Sequence, residues 1–185
     1  MAAIETLVDV FALSREELMG RIGEVPDWCC KLIAAQYPDA RVRREALKKL
    51  GVMFVDDSSF VNAGFQFTPN SLSDVHVRIG RNVSIAPNVT CLCDSCANNG
   101  IEINSFRYVT ERLTQRGDIC ICDDAWIGAG AILLPGVTVG RCAVVGAGCV
   151  LTRDADSYGI YAGVPGRKIG DIRQREEGFA ECSGA

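Results

Sequence analysis

From about residue 52 onward the sequence repeats with a period of six residues. The frame is clearest near the end, where six aliphatic residues stand six positions apart: Ile121, Ile127, Leu133, Val139, Val145 and Leu151. Four positions after each of the first five comes a small side chain: Ala125, Ala131, Val137, Ala143 and Cys149. A fixed short period indicates a stack of repeated units. An ordinary sandwich would show a period of two with turns every ~8–12 residues, and this pattern differs from that.

The third residue after each aliphatic suits a sharp corner of the backbone. These residues are Asp124, Gly130, Gly136, Cys142 and Gly148. Glycine, asparagine and aspartate tolerate positive φ best, so Cys142 is the one unexpected residue type. The same frame occurs earlier, with Asn82 after Ile79 and Asn88 after Ile85.

Three short sides make one turn of a prism, with one aliphatic and one small residue of each side filling its interior. Three six-residue units span 18 residues, so we predict that the aliphatics stack in pairs: Ile121 on Val139, Ile127 on Val145 and Leu133 on Leu151. Successive turns then pair as parallel strands about 4.8 Å apart. The predicted fold class is therefore mainly β.

Residues 1–51 are predicted to form a short N-terminal α-helical region. Ile4–Leu13 is rich in apolar residues, Ser14 with Glu17 fits a capping box, and Pro26 suits a first helical turn. A third helix runs from about Asp39 to Leu50 and ends at Gly51. Its basic residues are Arg41, Arg43, Arg44, Lys48 and Lys49. We interpret them as a solvated face or a cover for the end of the next domain, because the helix lacks the aromatic face of a membrane anchor.

The repeat is interrupted between Cys93 and Asp118. We predict a loop excursion over about 94–118, within a β domain of residues 52–170 that a C-terminal tail of residues 171–185 follows. A long excursion from a regular coil is a candidate functional loop. This one carries Phe106, Arg107 and Tyr108.

The ten cysteines and the single histidine limit the chemistry. Met1–Glu5 lacks the features of an export signal, so we expect reduced thiols and a cytoplasmic location. One histidine excludes a site with several histidine ligands, and the C-x-C pairs lack the usual zinc spacing, so no metal is expected. The net charge of −4 indicates no nucleic-acid partner. No apolar run reaches the ~18 residues of a transmembrane segment.

The outward residues that follow each small residue favour association. They are Trp126, Ile132, Thr138, Val144 and Val150, and four of the five are apolar on what we interpret as one strand-like register. A single copy would expose a large apolar patch, which a closed ring of three chains would bury.

The run Trp126–Gly140 and the ending Ala162–Ile169 resemble the hexapeptide-repeat acyltransferases. The most similar groups are the maltose and galactoside O-acetyltransferases and the O-acetyltransferases of cell-surface sugars. The resemblance covers roughly residues 52–170. It implies a left-handed parallel β-helix, a homotrimer with active sites between two chains, and acetyl-CoA as donor. It also implies an O-acetyltransferase acting on a hydroxyl of a sugar or polysaccharide precursor, in the biosynthesis of a cell-surface polysaccharide.

The resemblance also implies which residues bind the donor. Ala129 and Ala147 match backbone positions that contact the pantetheine arm. Thr152, Arg153 and Arg167 match positions near the nucleotide end, and Lys168 adds a positive charge there. Guanidinium groups pair well with phosphate oxygens.

The chain departs from the family at the general base, because Cys96 stands where the family has its catalytic histidine. Several alternatives stay open. Asp94 or Cys96 acts as the base, Cys96 accepts the acyl group, or His76 serves from another coil or a neighbouring chain. Asn62 resembles a family asparagine near the acceptor.

Two other functions stay open besides the sugar O-acetyltransferase. The chain could be a non-catalytic acyl-CoA-binding or glycan-binding protein, because it lacks the usual histidine. It could also be an N-acetyltransferase for an amino sugar, which needs less help from a base.

Overall fold

The computed structural model describes residues 6–69 and 74–183, with side chains up to residue 177. Residues 1–5, used above for the export prediction and the start of the first helix, lie outside the described residues, as do the last two residues of the tail. The N-terminal region contains α1 (Leu7–Ala12), α2 (Arg15–Gly20), a 3₁₀ turn (Ile22–Glu24), α3 (Asp27–Gln36) and α4 (Ala40–Lys49).

Local signals place the ends of these helices. The predicted capping box is confirmed, since the Ser14 hydroxyl accepts from the Glu17 amide and the Glu17 carboxylate accepts from the Ser14 amide. Pro26 and Asp39 stand at the N-caps of α3 and α4. Gly51, just after α4, has φ of +92°.

Helix α4 covers one end of the coil. The Arg43 side chain is 3% exposed and donates to the carbonyls of Tyr37 (2.5 Å), Pro38 (2.9 Å) and Val61 (3.0 Å). The interpretation of α4 as a cover is therefore right for Arg43, and the solvated alternative is wrong for this residue. Buried carbonyls need a hydrogen-bond donor, and Arg43 supplies one to Val61. This hydrogen bond connects α4 to the strand that contains Val61.

The β domain consists of short strands. They are β1 (Val52–Phe54), β2 (Phe60–Val61), β3 (Gln66–Thr68), β4 (Val77–Ile79), β5 (Ser84–Ile85), β6 (Thr90–Leu92), β7 (Asp94–Ser95), β8 (Gln115–Arg116), β9 (Ile119–Ile121), β10 (Trp126–Ile127), β11 (Ile132–Leu133), β12 (Thr138–Val139), β13 (Val144–Val145), β14 (Val150–Leu151), β15 (Gly159–Ala162) and β16 (Arg167–Asp171). Helix α5 (Ile101–Ser105) and one π-helical turn (Val109–Leu113) lie between β7 and β8. Helix α6 (Ile172–Ser183) follows β16.

The strands form three parallel sheets, which are the three sides of a coil. The first side is β1-β4-β9-β12, the second is β2-β5-β10-β13-β15, and the third is β3-β6-β11-β14. Successive strands visit the three sides in turn, and only β16 adds to the second side in the antiparallel direction. The predicted stacking is confirmed: Val139 pairs with Ile121, Val145 with Ile127, and Leu151 with Leu133.

The interior and the corners follow the six-residue frame. All six aliphatics and all five small residues named above are buried. The predicted corner residues have positive φ, including Asp124 (59°), Gly130 (66°) and Cys142 (55°). Cys142 thus takes the corner conformation although its side chain disfavours it.

The outward apolar residues do not share one register, so that part of the sequence interpretation is wrong. Trp126 and Val144 lie on the second side, Ile132 and Val150 on the third, and Thr138 on the first. Six residues is one side of the coil, so consecutive repeats point in three directions. Two neighbouring sides therefore carry apolar groups.

Candidate functional site

The excursion joins the coil through a short antiparallel pair. The chain leaves the third side after β6 and returns to the first side at β9. At its base β7 pairs with β8, with Asp94 opposite Arg116. The Gly117 amide donates to the Cys93 carbonyl (3.0 Å), which closes the joint. Residues far apart in sequence therefore meet where the excursion starts.

A thiol, a carboxylate and a guanidinium meet at this joint, and we call Asp94, Cys96, Asn98 and Arg116 the thiol cluster. Arg116 Nε lies 2.9 Å from Asp94 Oδ2. The Cys96 thiol donates to Asn98 Oδ1 at 3.2 Å. The hydrogen bond and charge of Asp94 raise the pKa of Arg116, and a hydrogen bond with Cys96 adds to the rise. Asp94 thus holds the Arg116 guanidinium at the joint as a permanent cation.

Only one of the two carboxylate oxygens of Asp94 has a hydrogen-bond donor. Its side chain is 19% exposed, and Arg116 binds Oδ2. Oδ1 is buried and has no hydrogen-bond partner within the described residues. The Thr68 hydroxyl accepts from the amides of Cys93 (2.9 Å) and Asp94 (3.2 Å), which fixes the backbone of β7 against the end of β3. A buried acceptor without a donor calls for an explanation in a native structure.

The structure places His76 in a different environment from the thiol cluster. Its ring stacks on Phe67, with centroids 5.8 Å apart, and lies against Gly51. Its carbonyl accepts from the Cys93 thiol at 3.1 Å, so its backbone borders the joint of the excursion. His76 is therefore close to the cluster in the fold, while its imidazole faces the helical region.

That imidazole lines a cavity of about 920 Å³ between α3, α4 and β3, which we call the helix–coil cavity. Its polar lining includes Lys31, Gln66, Asp74 and His76, and Phe65 and Phe67 provide apolar wall. A cavity of this volume is large enough for a small organic ligand. Groups of both charges give it many hydrogen-bonding options.

The Asn62 side chain makes a hydrogen bond within its own turn of the backbone. Its side-chain Oδ1 accepts from the adjacent Ala63 backbone amide at 3.1 Å, and its own backbone N–H donates to the Ile85 carbonyl of the next turn. It lies at the corner between the second and third sides, whereas the thiol cluster follows the third side. The acceptor role of Asn62 remains a prediction.

The residues assigned to donor binding border the third side. Ala129 and Ala147 are exposed at the corner between the second and third sides, and the Gly148 amide donates to the Ala129 carbonyl (2.8 Å). Thr152 and Arg153 follow β14 on the opposite edge of that side. The Gly166 amide donates to the Val150 carbonyl (2.7 Å), which brings Arg167 to the same end of the coil.

The three basic residues at this end differ in their partners. Arg153 and Arg167 are exposed, and neither has an ion pair with any carboxylate within the described residues. Lys168 Nζ lies 3.0 Å from Asp156 and 3.9 Å from Asp171. The hydrogen bond with Asp156 raises the pKa of Lys168. The two guanidiniums are thus available to an anion, whereas Lys168 is already paired.

Sequence reasoning identified Cys96 and Asp94 but missed Arg116. No local pattern marks Arg116, because its neighbours come from the other end of the excursion. Over residues 6–69 and 74–183 no group of three or more His, Cys, Asp or Glu side chains is arranged to hold a metal. The same stretch contains no helix with the length and hydropathy of a membrane span.

Six-residue units, three parallel sides and positive-φ corners are the features of a hexapeptide repeat. Residues 121–153 match the family described as bacterial transferase hexapeptide (six repeats). The resemblance to hexapeptide-repeat acyltransferases is therefore confirmed.

Individual relatives show how far the similarity extends. Galactoside O-acetyltransferase of Escherichia coli (strain K12) is 34% identical over 114 residues, which are 61% of this chain and 53% of that protein. A hexapeptide-repeat acetyltransferase from Vibrio cholerae O1 biovar eltor, solved with acetyl coenzyme A, has a TM-score of 0.58 at 22% identity and covers 85% of this chain and 88% of its own. A galactoside acetyltransferase solved with coenzyme A has a TM-score of 0.55 at 21% identity and covers 94% of both chains. The structural matches establish the fold, and the chain spans about half of the first relative's length.

Proposed function

We propose that the chain is an acetyl-CoA-dependent O-acetyltransferase that acts on a hydroxyl of a sugar or polysaccharide precursor. The observation that carries this proposal is the arrangement along the third side of the coil. The thiol cluster follows β6, and Thr152 and Arg153 follow β14 at the same edge. β11 lies between β6 and β14, so two strand spacings, about 10 Å, separate the strands that lead to these sites.

This arrangement suggests how the donor lies. The phosphates bind Arg153 and Arg167, which have no ion pair with a carboxylate within the described residues. The pantetheine arm runs over the third side past Ala129 and Ala147, where small side chains leave room for close approach to the backbone. The acetyl thioester then reaches the thiol cluster.

The helix–coil cavity is the proposed acceptor site. Thr68 and Cys93 connect it to the cluster, since Thr68 contacts Asp94 and Cys93 contacts His76. A sugar offers several hydroxyls, and Lys31, Gln66, Asp74 and His76 can donate to or accept from them. The name of the Escherichia coli relative supports a sugar acceptor.

We further propose that the coil is left-handed and that three copies associate. The similar solved acetyltransferases support the helical hand, and the apolar groups on two neighbouring sides, such as Trp126 at 58% exposure, support association. The proposed location is the cytoplasm, where the nine described cysteines, all free thiols, would stay reduced. Polysaccharide biosynthesis is the proposed pathway class.

The test measures free CoA release by chromatography, with acetyl-CoA and a panel of neutral, acidic and amino sugars. We expect release that depends on a sugar hydroxyl, and weaker acetyl-CoA binding when Arg153 and Arg167 are both changed to Gln. Arg107→Gln, in an exposed ion pair with Glu111, is the matched control. Tight binding without release on every sugar would favour the non-catalytic alternative, and release only with amino sugars would favour the N-acetyltransferase.

A further inference from the structure

We propose that the acceptor is a negatively charged sugar, either a sugar acid or a sugar phosphate, and that Lys31 in the helix–coil cavity binds its anionic group. This inference rests on the proposed function and names the substrate class of that same site. It assigns Lys31 to the binding and selection of the acceptor.

The first basis is the ammonium group of Lys31, which lines the cavity from α3. Asp27 stands four residues earlier on the same helix, a spacing at which ion pairs form. The structure instead pairs Asp27 with Lys49 of α4, at 3.5 Å. Within the described residues the Lys31 ammonium has neither an ion pair nor a hydrogen bond. It is therefore available to a ligand.

The second basis is the charge of the cavity lining. Three ammonium groups and two carboxylates line it: Lys31, Lys48, Lys49, Asp27 and Asp74. This local excess of positive charge lies in a chain whose net charge is −4. Lys48 is held by Glu45 (2.9 Å) and Asp57 (3.1 Å), and Lys49 by Asp27, so both already have carboxylate partners. Lys31 thus remains to attract a ligand of opposite charge.

The third basis is the wall that carries Asp74. The His76 backbone N–H donates to the Gly51 carbonyl (2.9 Å), which fixes this wall against the end of α4. The Asp74 carboxylate has no ion pair within the described residues. A carboxylate only accepts hydrogen bonds, so the hydroxyls of a sugar can satisfy Asp74.

The two groups together favour an acidic sugar over an amino sugar. A bound carboxylate or phosphate gives Lys31 a charge-assisted hydrogen bond, which is about twice as strong as a neutral one. The hydroxyls of the same sugar donate to Asp74. An amino sugar would pair with Asp74 but would leave Lys31 without a partner and bring a second positive charge into the cavity. An acidic sugar therefore fits both groups at once.

The experiment compares sugars that share a ring and differ in charge. Glucose and galactose are each tested beside their uronic acid, their anomeric phosphate and their amino sugar, with saturating acetyl-CoA, and CoA release is followed. We expect kcat/KM for an acid or a phosphate to exceed that of the neutral and amino sugars by at least about 10-fold. The acid and the phosphate distinguish the two sources of charge. They carry it at different ring positions, so the loss of one hydroxyl does not decide the result.

Lys31→Gln should raise KM for the charged acceptor by about 10- to 100-fold and leave kcat unchanged, because it removes binding without touching the reacting atoms. KM for the neutral sugar should stay the same, and Lys31→Arg should retain the preference. Lys48→Gln is the matched control, since it removes a lysine of the same lining whose charge is already paired. An equal shift in Lys48→Gln would overturn the assignment to Lys31.

Sugar binding is also measured without turnover, by saturation-transfer NMR with CoA present. Equal binding of charged and neutral sugars, or binding of the charged sugar that Lys31→Gln leaves unchanged, would overturn the inference. CoA release with neutral sugars alone would also overturn it and leave the proposed acetyltransferase standing. Binding of the charged sugar that depends on Lys31, without CoA release from any sugar, would support the anion site and contradict the proposed function.

Discussion

The coil and the excursion differ in how closely their structure follows a periodic sequence pattern. In the coil, each residue's position in the six-residue frame sets its surroundings, and residues such as Ile127 and Leu133 are fully buried. In the excursion no period operates, and Ile101 is 92% and Tyr108 68% exposed. The chemical groups gather at the joint between them. The regular repeat thus holds the candidate site, and the irregular insertion supplies the side chains of the thiol cluster.

The largest expected effect concerns the joint. Cys96→Ala should lower turnover by ~10²- to 10⁴-fold, the range for losing a group that takes part directly in proton transfer, while the affinity for CoA stays the same. Steady-state kinetics and calorimetry measure the two quantities. Cys120→Ala, on the first side of the coil, should change neither. Unchanged turnover in Cys96→Ala would show that the joint holds no reactive thiol.

The second prediction compares packing in the two regions. Ile127→Ala should reduce the free energy of unfolding by about 2–5 kcal/mol, because it removes buried methyl groups and leaves a cavity. Ile101→Ala in α5 should stay within about 0.5 kcal/mol, because that side chain is exposed. Urea denaturation measures both. A similar loss at the two positions would mean that the excursion is packed in solution as tightly as the coil.

The third prediction concerns buried thiols and pH. Burial raises the pKa of Cys93 from 9.0 to about 11 and also raises the pKa of Cys91. Folding favours the neutral thiols, so their contribution to stability is complete below pH 9.0 and is lost as the pH rises through about 11.

The matched variant for this effect is Cys93→Ser, which keeps a donor for the His76 carbonyl and does not titrate in this range. The urea midpoint of the unchanged protein should fall more steeply between pH 9.0 and about 11 than that of the variant. The same pH dependence of the urea midpoint in both proteins would show that the Cys93 thiol does not cause the loss of stability. In the native state, iodoacetamide should label Cys96 before Cys91.

The smallest expected effect concerns one corner of the coil. Cys142 has φ of 55°, where an L residue is strained and glycine is not. Cys142→Gly should therefore stabilise the protein by up to about 1 kcal/mol in urea denaturation. Ser157→Gly, at a residue without positive φ, should not stabilise it. Destabilisation by Cys142→Gly would mean that contacts of the thiol outweigh the backbone strain.

The sequence predicts the coil almost residue by residue, because burial and corner geometry both repeat with the chain. Val139 on Ile121 and the positive φ of Asp124 follow from counting alone. The sequence does not predict contacts between segments that lie far apart in the chain. The contact of Arg116 with Asp94 depends on how the excursion closes, and the burial of Arg43 depends on where α4 docks.

The directions of outward side chains were also mispredicted for a geometric reason. Successive repeats point to different sides, so Trp126 and Ile132 are neighbours in the pattern but not on the surface. Only part of the candidate site could be predicted from the sequence. Cys96 and Asp94 follow from the resemblance, whereas the environment of His76 required the fold.

The most direct test of the account is an experimental structure of the protein with CoA bound. We expect the CoA sulfur in van der Waals contact with Cys96, the pantetheine arm along the third side, and the phosphates at Arg153 and Arg167. A CoA molecule in the opposite direction, or one whose sulfur lies away from Cys96, would contradict it.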